Sequence, residues 1–185
     1  MSYVAVIDYG VGNLFSLASS LKFLGIESVV TSEPEVITGA GKIILPGVGA
    51  FGDAMEKLRD TGLIPVIKKE VSAGKPLMGI CLGMQMLLEK SYEYGEHEGL
   101  GLIKGSVRPM APDLKAMGLD YKVPHMGWNS LEITRGGCPI LKATRDGEHM
   151  YFVHSFYGCE GEDSVAAWAD YGVRVPAVVY SGNVF

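Results

Sequence analysis

The stretch Gly74 to Lys90, GKPLMGICLGMQMLLEK, admits few folds. A short apolar run, Leu77 to Ile80, leads into Gly79-Ile80-Cys81-Leu82-Gly83, and good helix formers continue from Leu82 to Lys90. This reads as strand, sharp turn and helix with a cysteine at the turn, the thiol counterpart of a nucleophile elbow. A side chain held on such a turn sits in a strained backbone conformation, and its neighbours two residues away must lack bulk if strand and helix are to approach. Both glycines are explained by that need. With 25 glycines and three cysteines in 185 residues, about 0.05 chance matches to Gly-x-Cys-x-Gly are expected. Free cysteine is also among the most buried residue types, but the strand before and the helix after favour a nucleophile. The thiolate is the reactive form, and a helix start favours it.

The rest of the first half alternates in the same way. Tyr3 to Ile7 reads as a buried strand, Asp8-Tyr9-Gly10-Val11-Gly12 as a turn, and Asn13 as an N-cap. Leu14, Leu17, Ala18, Leu21 and Leu24 follow at helical spacing, closed by Gly25. Ile26 to Thr31 and Lys42 to Leu45 read as strands, Asp53 to Arg59 and Ile64 to Ala73 as helices. Such alternation predicts an α/β fold with a mostly parallel central sheet and helices on both faces. After Lys90 the character changes. Ser91 to Gly101 reads as a polar loop, Lys104 to Met110 as extended, and Ala111 to Gly118 as irregular with at most one helical turn. Ser130 to Thr134, Met150 to Phe156, Val165 to Ala169 and Val178 to Tyr180 read as strands. This half is expected to be β-rich, largely antiparallel and attached to the same sheet. One domain over residues 1–185 is predicted.

Composition narrows the function classes. The chain is 48% hydrophobic and 20% charged with net charge −5 and no basic run, which gives nucleic acid or an anionic membrane no electrostatic purchase. The start, MSYVAVIDYG, lacks a basic n-region, and its apolar run is too short for a signal peptide or a span. Three scattered cysteines make no disulfide framework, and no Cys/His cluster has zinc spacing. The expectation is a cytoplasmic protein with no metal and no cofactor.

A cysteine attacking an amide carbon needs an oxyanion hole and a base that later acts as acid. In folds with an elbow, the hole combines the N–H after the nucleophile with one from the loop after the third strand. Leu82 supplies the first, and Pro46-Gly47-Val48-Gly49 is the matching loop, although alone it reads as a plain βα turn. The base is harder to find. His97 and His149 lie in charged, loop-like surroundings and read as solvated surface. His125 lies in Val123-Pro124-His125-Met126-Gly127-Trp128-Asn129, and His154 lies on an apolar strand, where a satisfied, half-buried histidine is the ordinary reading. No carboxylate follows either of them, so nothing in the written chain completes a triad.

Gly79-Ile80-Cys81-Leu82-Gly83-Met84-Gln85 resembles the nucleophile motif of class I glutamine amidotransferases. Asp8-Tyr9-Gly10-Val11-Gly12-Asn13, Pro46-Gly47-Val48-Gly49-Ala50-Phe51 and Pro124-His125-Met126-Gly127-Trp128-Asn129 narrow the resemblance to the glutaminase subunits of imidazole glycerol phosphate synthases, over nearly the whole chain. The resemblance implies that Cys81 forms a glutamyl thioester and releases ammonia. It implies oxyanion donors at Leu82 and Val48, with the Val48 peptide turning into place when the partner is active. It implies substrate contacts at Gly47, Gly49, Gln85, Glu93, Ser155 and Phe156, and contact with the partner at Trp128 and Asn13. The implied substrate is L-glutamine. The implied partner is a barrel-type cyclase that forms a heterodimer with this chain and uses the ammonia in histidine biosynthesis.

One part of the family pattern is not in these residues. The segment Gly-Asn-Val-Phe-Gly-Thr-Gln-Phe-His-Pro-Glu-Lys supplies the catalytic His and its orienting Glu in the family, and here the sequence reaches Ser181-Gly182-Asn183-Val184-Phe185, immediately before it. The expectation is a natural chain that continues, and a 185-residue form that hydrolyses glutamine very poorly while Cys81 stays open to alkylation. The alternative is an assembly or regulatory subunit of the same complex that has lost hydrolysis.

Overall fold

The computed structural model describes residues 3–185. Four strands, β1 (Val4–Ile7), β2 (Ser28–Thr31), β3 (Lys42–Leu45) and β4 (Leu77–Gly79), form a parallel sheet in the order β2-β1-β3-β4. Alternation along the strands sorts side chains onto two faces. Ala5, Ile7, Ile43, Leu45 and Leu77 belong to the larger core. There they meet Ile37 from α2 (Pro34–Gly39), Phe51, Met55 and Leu58 from α3 (Phe51–Asp60), and Ile67 from α4 (Ile64–Ser72). Val4, Val6 and Ile44 belong to the second face, packed by Leu14, Leu17 and Leu21 of α1 (Leu14–Phe23). Each fully buried Ile, Leu or Phe stabilises the layer by about 1.5–3 kcal/mol. Asn13 caps α1 as expected, its side chain accepting from the Ser16 N–H at 3.3 Å. Helices cover both faces, as the alternation predicts.

The elbow helix is short. α5 (Leu82–Met86) covers five residues, and the chain returns to extended structure at β5 (Lys90–Ser91) instead of remaining helical to Lys90. Helix propensity between Leu87 and Lys90 yields to tertiary pairing: the Glu89 N–H donates to Gly105 O and the Tyr92 N–H to Val107 O. The expected polar loop contains β6 (His97–Glu98), paired antiparallel with β5. His97 is half-buried rather than solvated. Its ring lies over Gly52, where a Cβ would come within 2.6 Å of Cε1.

The second half is β-rich but is not part of the central sheet. β7 (Ser106–Pro109) joins β11 (Phe156–Cys159), β5 and β6 in one sheet. β8 (His125–Ser130) and β10 (His149–His154) form a two-stranded ribbon. β9 (Glu132–Ile133), β12 (Val165–Asp170) and β13 (Arg174–Val179) make a third sheet. Its pairs are antiparallel except that β5 and β7 run parallel. The link to the central sheet is the terminal segment: the Leu77 N–H donates to Asn183 O, the Phe185 N–H to Leu77 O and the Gly79 N–H to Phe185 O. Ala111 to Gly118 is more regular than expected, with α6 spanning Met110–Ala116 over buried Met110 and Leu114.

Candidate active site

The parallel sheet brings three chain turns to one end. Those after β1, β3 and β4 all leave the carboxyl edge, and β1 and β3 are neighbours from which the chain departs to opposite sides. Open α/β sheets bind ligands at such a point. Cys81 lies there, exposed, with φ +56° and ψ −118°. The left-handed region disfavours any residue with a Cβ, so the predicted strain is present. The cause is packing. A Cβ on Gly79 would come within 2.6 Å of the Gly83 O, and one on Gly83 would overlap the Leu45 carbonyl. Strand and helix are in backbone contact, and the chain reverses within one residue.

The loop after β3 packs into the same contact. A Cβ on Gly47 would meet the Gly83 N at 2.6 Å and Leu82 at 3.0 Å. Gly47 is therefore buried backbone beside the elbow, while Val48 and Gly49 are exposed at the rim. Among the described residues, the N–H groups of Leu82, Val48 and Gly49 find no protein acceptor. Three residues position this loop. The buried Tyr9 hydroxyl donates to Pro46 O at 2.7 Å, and burial pushes its pKa up to about 12. Gly12 presses against Pro46, where a Cβ would meet the ring at 3.2 Å. Glu93 is 9% exposed, and its Oε2 accepts from the Phe51 N–H at 2.7 Å, at the first residue of α3. The placement of Glu93 differs from that of a loop charge: it is buried, and one oxygen is committed to a helix start.

Gln85 faces the other wall. Its Nε2 donates to Phe156 O at 3.1 Å, which joins the elbow helix to β11. Tyr94, with φ +55° and largely exposed, stacks edge-on with the Phe156 ring at 5.9 Å. Ser155 lies at the bend between β10 and β11, and its carbonyl accepts from the Met110 N–H at 2.9 Å. The fold thus gathers Gly47, Val48, Gly49, Cys81, Leu82, Gln85, Glu93, Ser155 and Phe156 around one edge. Tyr9 and Tyr94 escaped sequence reasoning as parts of the site. The Asp8-Tyr9-Gly10 segment was a visible signal for the first, and nothing local marks the second. Among the described residues, the Cys81 thiol makes no hydrogen bond, to a histidine or to any other group.

Trp128 and Asn13 lie outside this cluster. Trp128 is 71% exposed, meets Tyr151 edge-on at 5.7 Å, and shares one ribbon face with Met126 and Val153. Met126 is 61% exposed, Tyr151 54% and Val153 50%. Asn13 is exposed at the start of α1 with its side-chain oxygen engaged by the cap. The ribbon's other face carries His125 and His154. His125 is 3% exposed and stacked between Phe152 at 4.9 Å and Tyr171 at 4.0 Å. Burial, and secondarily His154, lowers its pKa to about 4; burial also lowers that of His154.

The model of the glutamine amidotransferase class-I family matches residues 5–182. The imidazole glycerol phosphate synthase subunit HisH of Bacillus subtilis is 51% identical over 185 residues, covering 98% of this chain and 85% of that protein. The HisH subunit of Geobacillus thermodenitrificans is 48% identical over 186 residues, covering 100% and 86%. Among solved structures, a glutamine amidotransferase superposes with a TM-score of 0.73 at 22% identity, covering 99% of this chain and 87% of that one. The structure of PurLQS from Thermotoga maritima gives 0.70 at 21%, covering 99% and 84%. At those identities the superpositions speak for the fold alone. The chain belongs to the class I glutamine amidotransferases and, within them, to the family of imidazole glycerol phosphate synthase HisH subunits.

Proposed function

We propose that this chain is the glutaminase subunit of an imidazole glycerol phosphate synthase. The observation that carries the reading is the strained, exposed Cys81 on an elbow, beside backbone N–H groups with no protein acceptor. The Cys81 thiolate attacks the carboxamide carbon of glutamine, and the N–H groups of Leu82 and Val48 hold the oxyanion of the tetrahedral intermediate. Collapse breaks the C–N bond, ammonia leaves with a proton from the catalytic acid, and a glutamyl thioester remains. Water then adds to the thioester and releases glutamate. Gly47, Gly49, Gln85, Glu93, Ser155 and Phe156 hold the amino-acid end of the substrate.

The acid–base pair is not assigned to a described residue: the histidines sit elsewhere, and the segment at Phe185 runs parallel to β4, bonded to both Leu77 and Gly79. A barrel-type cyclase docks on the exposed Trp128 face and on Asn13 as a heterodimer, takes the ammonia, and forms imidazole glycerol phosphate and aminoimidazole carboxamide ribotide in the cytoplasm. No described helix is long and apolar enough to cross a membrane.

The test is ammonia release from glutamine by the natural chain with and without its cyclase. Release in the complex that falls at least ~10³-fold on Cys81→Ala is expected. Undiminished release by that variant would remove Cys81 from the chemistry, and none from the wild-type complex would favour a purely assembling subunit instead.

A further inference from the structure

We propose that His125 and His154 are positioning residues for glutamine, acting through the Phe156 carbonyl on Gln85. The inference rests on the glutaminase reading of the Cys81 site. It starts from four contacts in series. Asn129 Nδ2 lies 3.5 Å from His125 Nε2, His125 Nδ1 lies 2.9 Å from His154 Nε2, His154 Nδ1 lies 2.9 Å from Phe156 O, and Gln85 Nε2 donates to that same oxygen at 3.1 Å.

Chemistry at the two ends sets the direction of every bond. Phe156 O accepts only, so His154 carries its proton on Nδ1 and presents a bare Nε2. His125 must then donate from Nδ1, which leaves its Nε2 bare before the Asn129 amide, a donor already anchored to Asp170 O at 2.7 Å. Each of the three gaps, from Asn129 to Phe156, holds one hydrogen. Any added proton sets donor against donor in one of them, so the series forms only with both rings neutral. The surroundings keep them so. His125 is sandwiched between Phe152 and Tyr171. Tyr171 donates its hydroxyl to Lys122 O, the Asp170 carboxylate accepts from the Gly172 N–H, and no ion pair among the described residues reaches either ring.

The consequence lies at Gln85. With both lone-pair directions of Phe156 O taken by fixed donors, the Gln85 amide has one orientation, with Nε2 on the carbonyl. Its Oε1 takes no hydrogen bond from the described residues and is left as an acceptor for an ammonium group. The histidines do not touch substrate. They fix the carbonyl that fixes the amide.

The experiment uses the natural chain in complex with its cyclase and compares His154→Leu with His154→Asn, whose Nδ2 can replace the Nδ1 donor. His154→Leu is expected to raise KM for glutamine about tenfold with kcat changed less than about threefold, and His154→Asn to restore KM to within about threefold of wild type. Wild-type KM should rise as pH falls toward 4, where His125 takes up a proton, and the His125→Phe/His154→Asn double variant should lose that rise. Glutamine protection of Cys81 against a diazoketone analogue of glutamine gives the same ranking without turnover. KM and protection unchanged in His154→Leu, or an equal fall in kcat that Asn does not restore, would overturn the inference alone. Absence of protection in the wild-type complex would overturn the glutaminase reading and this inference with it.

Discussion

The parallel sheet and the β8–β10 ribbon treat their residues in opposite ways. Around Cys81 the side chains that matter are mostly absent: Gly47, Gly79 and Gly83 allow backbone to lie on backbone, and Ile43, Leu45 and Leu77 lock the strands from below. On the ribbon the side chains are large and face outward. Met126, Trp128, Tyr151 and Val153 form one apolar face, with Phe152 and the neutral histidines behind it. The sheet holds one strained residue still by removing every degree of freedom near it. The ribbon keeps apolar area in reserve, on the face proposed above for the cyclase. On that reading, rigidity serves the chemistry and unburied area serves assembly.

If that contrast is right, the largest effect belongs to the elbow's backbone contact. Gly83→Ala drives a methyl into the Leu45 carbonyl and should cost about 3 kcal/mol or more by urea denaturation. Gly136→Ala, where a Cβ meets open space, should stay within about 0.5 kcal/mol. Equal costs at the two positions would remove the claim of close packing.

The buried imidazoles should show in acid. Folded His125 stays neutral down to about 4, whereas the unfolded chain takes up that proton near its ordinary 6.5. Between those values the unfolded state binds more protons, so stability falls as pH drops from 6.5 to 4 and is insensitive to this group above 6.5. The loss amounts to about 3 kcal/mol at most, and His154 adds in the same direction. Denaturation at pH 7, 5.5 and 4.5 should be flatter for His125→Phe, which keeps the ring stack. An unchanged pH slope would count against burial as the cause.

Trp128→Ala isolates the ribbon's outer face. Binding to the cyclase should weaken by about 2 kcal/mol, or roughly 30-fold in Kd, while the isolated chain loses less than about 0.5 kcal/mol. A titration calorimetry result with unchanged affinity would detach the patch from assembly. The smallest effect concerns strain. Cys81→Gly should raise stability by about 1 kcal/mol in the same urea assay, since glycine accepts φ +56° freely. A loss would mean the turn is not strained.

How much of this was legible in the residues differs between the halves. In the first, β1, β3, α1, α4 and the Asn13 cap fall within two residues of where apolar periodicity and turn chemistry put them. Their pattern is local, and each run is closed by glycine or a cap. α2 went unread because six residues offer too short a window for a helical period. The end of the elbow helix was missed because Glu89 and Tyr92 bond to the distant Gly105 and Val107. In the second half, strands were legible as strands, but their division into a ribbon and two sheets was not, since alternation does not name a partner. His97 was misjudged for a related reason: charged neighbours in sequence say nothing of Gly52 in space.

The elbow itself shows the same division. That a cysteine sits between a buried strand and a helix, with glycines where bulk is forbidden, is written in five consecutive residues, because those demands are local. What surrounds it is set by packing between distant segments. Tyr9 holds Pro46, Glu93 holds Phe51, and Gln85 meets a carbonyl 71 residues away that His154 also holds. Those contacts depend on pairing and packing between remote segments. A hydrogen bond records the distance between two atoms in space, and the chain between them leaves no periodic trace of it.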